Sequence, residues 1–293
     1  MKKILITGVA GNLGRKIYNH LINKYEITGL DLSNNYCINK FIKCDLRFKN
    51  QLEIKLKNLK FDIIIHTAGI AHNFNKFSKE EIFESNFNAT KNLVDLIGKN
   101  SKLIFFSTIG VYGDSILTNK ILNEKTIINP LDFYSQSKMM SENYINNKIP
   151  NKIILRCAPI FSKDFMIDIK KRIFYNKFFY IIFGGGNQLH SFCHISNLLK
   201  VIDYLINNNV NRKTYNIVDD KIYKSKEIPR LINTNKSIRI NFPLCFVKII
   251  CNLFLLFFLS KKKAILRVKF HKVLYDNLVN SSLLSDPNFK KKD

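Results

Sequence analysis

The sequence contains no tryptophan, no Cys-x-x-Cys pair, and less than half as many acidic as basic side chains, 22 against 47. Each shortage removes a class of protein. The six cysteines (Cys37, Cys44, Cys157, Cys193, Cys245 and Cys251) are scattered and lack histidines at ligand spacing. A zinc site or a disulfide framework is therefore not expected, and reduced thiols in a cytoplasmic protein are. Met1-Lys2-Lys3 leads into a strand that the fold needs rather than a cleavable apolar region, so no signal peptide is read. The net charge of +25 comes without a zinc finger, an RNA-recognition sheet motif or a recognition-helix pattern. Lysine, asparagine and isoleucine are spread through every segment, which looks like drift toward AT-rich codons. A nucleic-acid partner is not expected.

What is present begins at the N-terminus. Ile4-Leu5-Ile6 is an apolar strand, Thr7-Gly8-Val9-Ala10-Gly11-Asn12-Leu13-Gly14 a glycine-rich turn, and Ile17 with Leu21-Ile22 the apolar face of a helix. Gly8 permits the tight turn, Gly11 lets backbone approach a pyrophosphate, and Gly14 lets helix pack on strand. The helix start then offers amide donors and a positive dipole end, so the pattern predicts a dinucleotide site. Asp31 ends a second strand, about twenty residues beyond the glycines, where a carboxylate accepts from ribose hydroxyls and repels a 2′-phosphate. NAD is therefore expected over NADP.

Further strands are read at Phe41–Cys44, Phe61–His66 and Leu103–Phe106, alternating with helices around 48–59 and 78–99. That alternation predicts an α/β protein with a doubly wound parallel sheet. Asp45 is a candidate adenine contact, with N-capping of the following helix as the other reading. His66 is read as a packed strand-end residue. Tyr134 and Lys138 stand at i and i+4 on one helix face. A lysine ammonium beside a phenol stabilises the phenolate and can bring its pKa from near 10 toward neutrality. Thr108, at a strand end, supplies a hydroxyl to hold the same substrate oxygen as the phenol.

These residues together resemble the extended short-chain dehydrogenase/reductases, the NAD-dependent sugar epimerase/dehydratase family. The matching stretches are Thr7–Gly14, Asp31, Asp45-Leu46, His66-Thr67-Ala68, Asn86–Thr90, Ser107–Gly113, Tyr134–Lys138 and Arg156–Pro159. The resemblance implies a Rossmann domain over 1–160, with a returning segment near 186–218. A smaller, mainly substrate-binding lobe would occupy 161–293. By the same resemblance Tyr134 is the general base, Lys138 orients the nicotinamide ribose, and Thr108 is the hydroxyl partner. Gly8, Gly11, Asn12, Leu13, Gly14, Asp31, Asp45, Leu46, Ala68 and Asn86 would surround the cofactor.

The implied substrate is a sugar on a nucleotide or lipid diphosphate, used in surface polysaccharide synthesis. The implied reaction is oxidation at the sugar 4-hydroxyl, rotation of the 4-keto sugar, and hydride return to its opposite face. The family's 4,6-dehydratases carry an acid pair after the strand-end threonine, where this chain has Ile109-Gly110; a 4-keto-sugar reductase is the runner-up, and a non-catalytic NAD-binding scaffold or sensor the rival of another class. His190-Ser191 replace an Arg-Asp pair of the family, putting a phosphate contact there in doubt. Arg267 and Lys269 are offered to the diphosphate instead, against a reading as a solvated basic face. A homodimer through the helices near 78–99 and 133–148 is the family expectation.

One stretch fits less simply. Phe242-Pro243-Leu244 opens an apolar helix read as Phe246–Leu259, followed by Lys261-Lys262-Lys263. It is short for a membrane span and interrupted by Lys248 and Asn252. A core helix is the default reading, and peripheral contact with the inner membrane face the rival.

Overall fold

A computed structural model describes residues 1–33, 38–71, 76–98, 100–118, 120–176, 178–232, 238–257 and 260–290. Cys37, Phe258 and Leu259 lie outside the described residues, as do the side chains of Lys261 and Lys262. The chain divides into two compact units. The first comprises Met1–Val111, Asp132–Arg156 and Val201–Tyr215; the second comprises Tyr112–Leu131, Cys157–Lys200 and Asn216–Asp293. After Arg156 the chain returns to the first unit over Val201–Tyr215, and Tyr112–Leu131 belongs to the second unit.

The first unit is built on β1 (Lys3–Thr7), β2 (Glu26–Asp31), β3 (Phe41–Lys43), β4 (Ile63–His66), β5 (Lys102–Thr108) and β6 (Lys152–Cys157). With the strand Lys213–Ile217 they form one seven-stranded sheet, in the order 213–217, β6, β5, β4, β1, β2, β3. The pairings from β3 through β2, β1 and β4 to β5 are all parallel. Winding starts at β1 and runs outward both ways, so the chain reverses between β1 and β4, the place where such sheets bind ligands. All four residues of β4 are buried, as a central parallel strand covered on both faces requires.

The helices follow from local rules. In α1 (Asn12–Leu21), Gly14, Ile17, Tyr18 and Leu21 recur at i, i+3, i+4 and i+7 and are the buried face. The helix α2 (Lys49–Leu56) is shorter than predicted, and its N-cap is Phe48, without a side-chain cap bond. Asp45 is thus not the helix cap. Its carboxylate accepts four hydrogen bonds from Arg47, one from the backbone N–H at 3.0 Å, two from Nε at 3.0 Å, one to each oxygen, and one from Nη2 at 2.7 Å, and this pairing lowers its pKa.

The predicted helix over 78–99 is present in three pieces. A reciprocal Ser78/Glu81 capping box starts α3 (Lys79–Phe83). A π-helical turn, Glu84–Asn88, follows, and then α4 (Ala89–Leu96). Asp132 caps α5 (Phe133–Lys148) by accepting from the Ser135 N–H at 2.8 Å. The C-terminal carbonyls near the end of helix Ile195–Asn207 are held from β5: Lys102 donates to the carbonyls of Leu205 and Asn208. A cation at a helix C-terminus opposes the dipole's negative end, and burial pulls this ammonium down to about 8.

The second unit has its own core, Phe161, Ile169, Ile173, Phe192, Tyr223 and Ile228. Phe161 meets Phe192 and Tyr223 edge-on, with ring centroids 6.2 and 5.6 Å apart. Asp219 ties this core together by accepting from the His194 N–H, Asn197 Nδ2 and the Tyr223 hydroxyl. The strand Ile238–Phe242 lies parallel to Phe179–Phe183 and runs directly into helix Leu244–Leu255. That helix ends four residues before the predicted limit at Leu259, and Leu255 alone among its residues is buried. The core-helix reading is therefore corrected.

Candidate functional site

Gly8, at φ +72°, occupies the left-handed region, and a Cβ there would stand 2.6 Å from the Ala68 amide nitrogen. The turn after β1 and the backbone after β4 thus approach more closely than any side chain allows. A Cβ on Gly14 would fall 2.2 Å from the Gly8 carbonyl oxygen, so α1 starts directly on the turn. Its N-cap, Gly11, offers no side chain to the first amides, which leaves them for an anion. Asn12 and Leu13 are the first two helical residues.

Asp31 is anchored to this turn. One carboxylate oxygen accepts from the Ala10 N–H at 2.9 Å, the other from the Ser33 N–H at 3.1 Å. A fixed negative charge sits beside the glycine loop, as ribose recognition requires. The close glycine turn, the uncapped helix start and the tethered acid together fit NAD. Asp31→Ala should reduce or abolish discrimination between NAD and NADP. Titration of both cofactors checks this, and an unchanged ratio would remove Asp31 from the ribose site.

Leu46 is buried in the core of the first unit, and its carbonyl accepts from Asn92. Asn86, 1% exposed, spends its side chain on the protein: Oδ1 accepts from the Ile70 N–H, while Nδ2 donates to the Ile70 carbonyl and to Ser137. Asn86 thereby braces the loop after β4 against α5. The π turn containing it is an insertion of the kind that recurs at functional sites.

His66 continues this brace. Thr90 donates its hydroxyl proton to the Asn86 carbonyl, so the contact to His66 Nε2 at 2.9 Å requires Nε2 to carry the proton. Nδ1 then accepts from the Thr7 hydroxyl at 2.6 Å. Burial, with the Lys138 charge nearby, pushes the imidazole down to about 3. It is a neutral strut at the strand end, as its sequence reading held.

The residues expected from the sequence to carry chemistry stand on β5 and α5. Lys138 is buried, with its ammonium 4.8 Å from the centroid of the Phe105 ring on β5. Tyr134 is half-buried one turn earlier, in the turn set by the Asp132 cap. Thr108 Oγ1 accepts from the Gly110 N–H at 3.0 Å. A Cβ on Gly110 would lie 2.5 Å from Ser135 Oγ and 3.3 Å from Thr108 Oγ1, so Gly110 fits between strand end and helix start.

Sequence reasoning missed the group that holds α5 in place. Glu142, one turn beyond Lys138, accepts from Ser107 and from Arg156, whose Nη2 lies at 2.7 Å. Glu142 and Arg156 have side chains 2% and 7% exposed. The available signal was the i+4 step from Lys138 combined with Arg156 on a strand of otherwise apolar neighbours.

In the second unit, His190 is buried and bonded to Ser225, and it is pushed down to about 3 by burial and then by Arg172. It supplies no cation, and Ser191 is engaged with Val279. Arg267 and Lys269 are exposed on helix Ser260–Leu274. Among the described residues, no group of three or more His, Cys, Asp or Glu side chains is arranged to hold a metal.

This sheet order, glycine turn and Thr/Tyr/Lys set define a short-chain dehydrogenase/reductase fold of the extended kind. The NAD dependent epimerase/dehydratase family model matches residues 4–218, and the chain belongs to that family. The cofactor is accordingly NAD. Over 257 residues the chain is 28% identical to the dTDP-D-glucose 4,6-dehydratase of Dictyostelium discoideum, covering 75% of this chain and 59% of that protein. The fold is shared with the UDP-Glc/GlcNAc 4-epimerase of Campylobacter jejuni, at TM-score 0.68 and 21% identity, over 83% of this chain and 87% of that one. It is shared equally, at TM-score 0.68 and 15% identity, with a short-chain dehydrogenase/reductase superfamily protein from Agrobacterium tumefaciens with bound NAD, over 82% and 86% of the two chains.

Proposed function

We propose that the protein is an NAD-dependent epimerase acting at the 4-hydroxyl of a sugar carried on a nucleotide or lipid diphosphate. Bound NAD would supply the hydride acceptor and donor. Tyr134, as phenolate, takes the proton of the sugar hydroxyl and returns it at the end of the cycle. Lys138 favours that phenolate by its charge and orients the ribose, while the Thr108 hydroxyl holds the same sugar oxygen. Fixed geometry supplies much of the acceleration, and the redox step belongs to the cofactor.

The observation that carries this reading against dehydration is Gly110. By the resemblance, the family's 4,6-dehydratases carry an acid pair beyond the strand-end threonine, and at position 110 a first side-chain carbon would already collide with Ser135 Oγ. Ile109 is apolar, so neither position after Thr108 offers a carboxyl. In the second unit, with His190 neutral, Arg267 and Lys269 are the cations we assign to the diphosphate. The buried thiols Cys44, Cys157 and Cys193 suit a cytoplasmic enzyme. A homodimer through α3–α5 and a role in surface polysaccharide synthesis complete the proposal.

NMR of the products formed from a panel of nucleotide-linked and lipid-linked sugars tests it. Interconversion of two 4-epimers with NAD unconsumed is the expected result. Stoichiometric oxidation of NADH or NADPH by a 4-keto sugar would make the protein a reductase, and water loss would make it a dehydratase.

A further inference from the structure

Helix Leu244–Leu255 presents its apolar side chains outward. Phe246, Ile249, Ile250 and Leu253 recur at i, i+3, i+4 and i+7, and Leu256 and Phe257 follow; all six are between 55% and 86% exposed. In an ordinary surface helix this spacing marks the face turned to the core. Here it marks the opposite face. Exposed apolar patches of this kind, rimmed by polar groups, are interaction surfaces.

The charge around the stripe is one-sided. Between Glu227 and Asp276 the chain has no acidic residue and ten lysines and arginines. Arg230 and Arg239 are exposed within it. Lys248, on the helix itself, holds its ammonium 4.0 Å from the centroid of the Tyr275 ring. A second copy of this chain seated on the stripe would bring positive charge toward positive charge. An anionic lipid surface offers negative head groups for the cations and hydrocarbon for the stripe at once.

Crossing the bilayer is not what the helix can do. A span needs about 20 apolar residues; this helix has 12. Among the described residues, no helix is long and apolar enough to cross a membrane.

We infer that helix Leu244–Leu255 and the turn after it form a peripheral docking surface for anionic membrane, with the apolar stripe lying in the head-group region and the flanking cations on the acidic lipids. The inference goes beyond the proposed reaction and holds whichever sugar is turned over.

Flotation of the full-length protein with phosphatidylcholine vesicles, with and without phosphatidylglycerol, tests it. Expected is capture by the anionic vesicles, at least about tenfold weaker with neutral vesicles or after raising salt from about 0.05 to about 0.5 M. The variant Phe246→Ser/Ile250→Ser/Phe257→Ser should lose capture by about tenfold or more while keeping NAD affinity, which reports a folded first unit. Far-UV circular dichroism reports the helices of both units. Protein that stays unbound at low salt, or a triple variant that floats as well as the parent, overturns the inference. So does a stripe-dependent dimer on size exclusion without vesicle capture, which would assign the surface to a second copy. Failure in flotation with 4-epimerisation intact would remove the membrane surface alone, and capture without turnover would remove the reaction alone.

Discussion

Tyr134→Phe should lower turnover by about a hundredfold or more, the usual cost of deleting a general base, with NAD affinity and the unfolding midpoint unchanged. The ring remains in the first turn of α5, where the Asp132 cap fixes the backbone. Only the hydroxyl proposed to exchange a proton with the sugar is lost. Lys138 provides the companion measurement. Its ammonium lies buried on the Phe105 ring one turn away, and removing a positive charge beside a phenol raises the phenol's pKa. Lys138→Met should therefore move the acid limb of the pH–rate profile to higher pH, so that less phenolate is present at neutrality. Near-parental turnover by Tyr134→Phe would end the proposed mechanism, whatever the Lys138 variant did.

The second large effect is on folding. Glu142→Ala should destabilise the protein by about 3–5 kcal/mol, the typical cost of stranding one partner of a buried ion pair. Total stabilities are about 5–15 kcal/mol, so much of the margin would go. Arg156, 7% exposed, would lose its carboxylate, and Ser107 its acceptor. The double variant Glu142→Leu/Arg156→Met removes both charges and should recover most of the loss, because no ion is then left buried. Urea unfolding of the parent, single and double variants measures this. A single variant within about 1 kcal/mol of the parent, or a double variant no better than the single, would show that the pair is not what anchors α5.

Much of the first unit was legible because its signals are local. The spacing of Gly8, Gly11 and Gly14, the acid at Asp31 and the strand–helix alternation each depend on residues close in sequence. Their partners are backbone, which any chain supplies. The face of α1 was readable for the same reason: apolar residues recurring at helical period can bury only one side.

In α5 that logic fails. Ser135, Lys138, Glu142 and Ile145 lie on its buried face, so polarity there does not mean exposure. What makes burial tolerable is Ser107 and Arg156, 35 and 14 residues away along the chain.

The sequence by itself determined the dinucleotide turn, the parallel sheet and the Tyr134–Lys138 face, since all three rest on short-range stereochemistry. Only the tertiary structure decided the Thr7–His66–Thr90–Asn86 brace, the transfer of Tyr112–Leu131 to the second unit, and the fate of the apolar helix after Pro243. That helix is apolar nearly all round, and its Phe246, Ile249, Ile250 and Leu253 stripe has the spacing that ordinarily marks an inner face. Whether it packs inside or lies outward depends on what the rest of the fold leaves uncovered, and Leu255 is the only one of its residues that the protein buries.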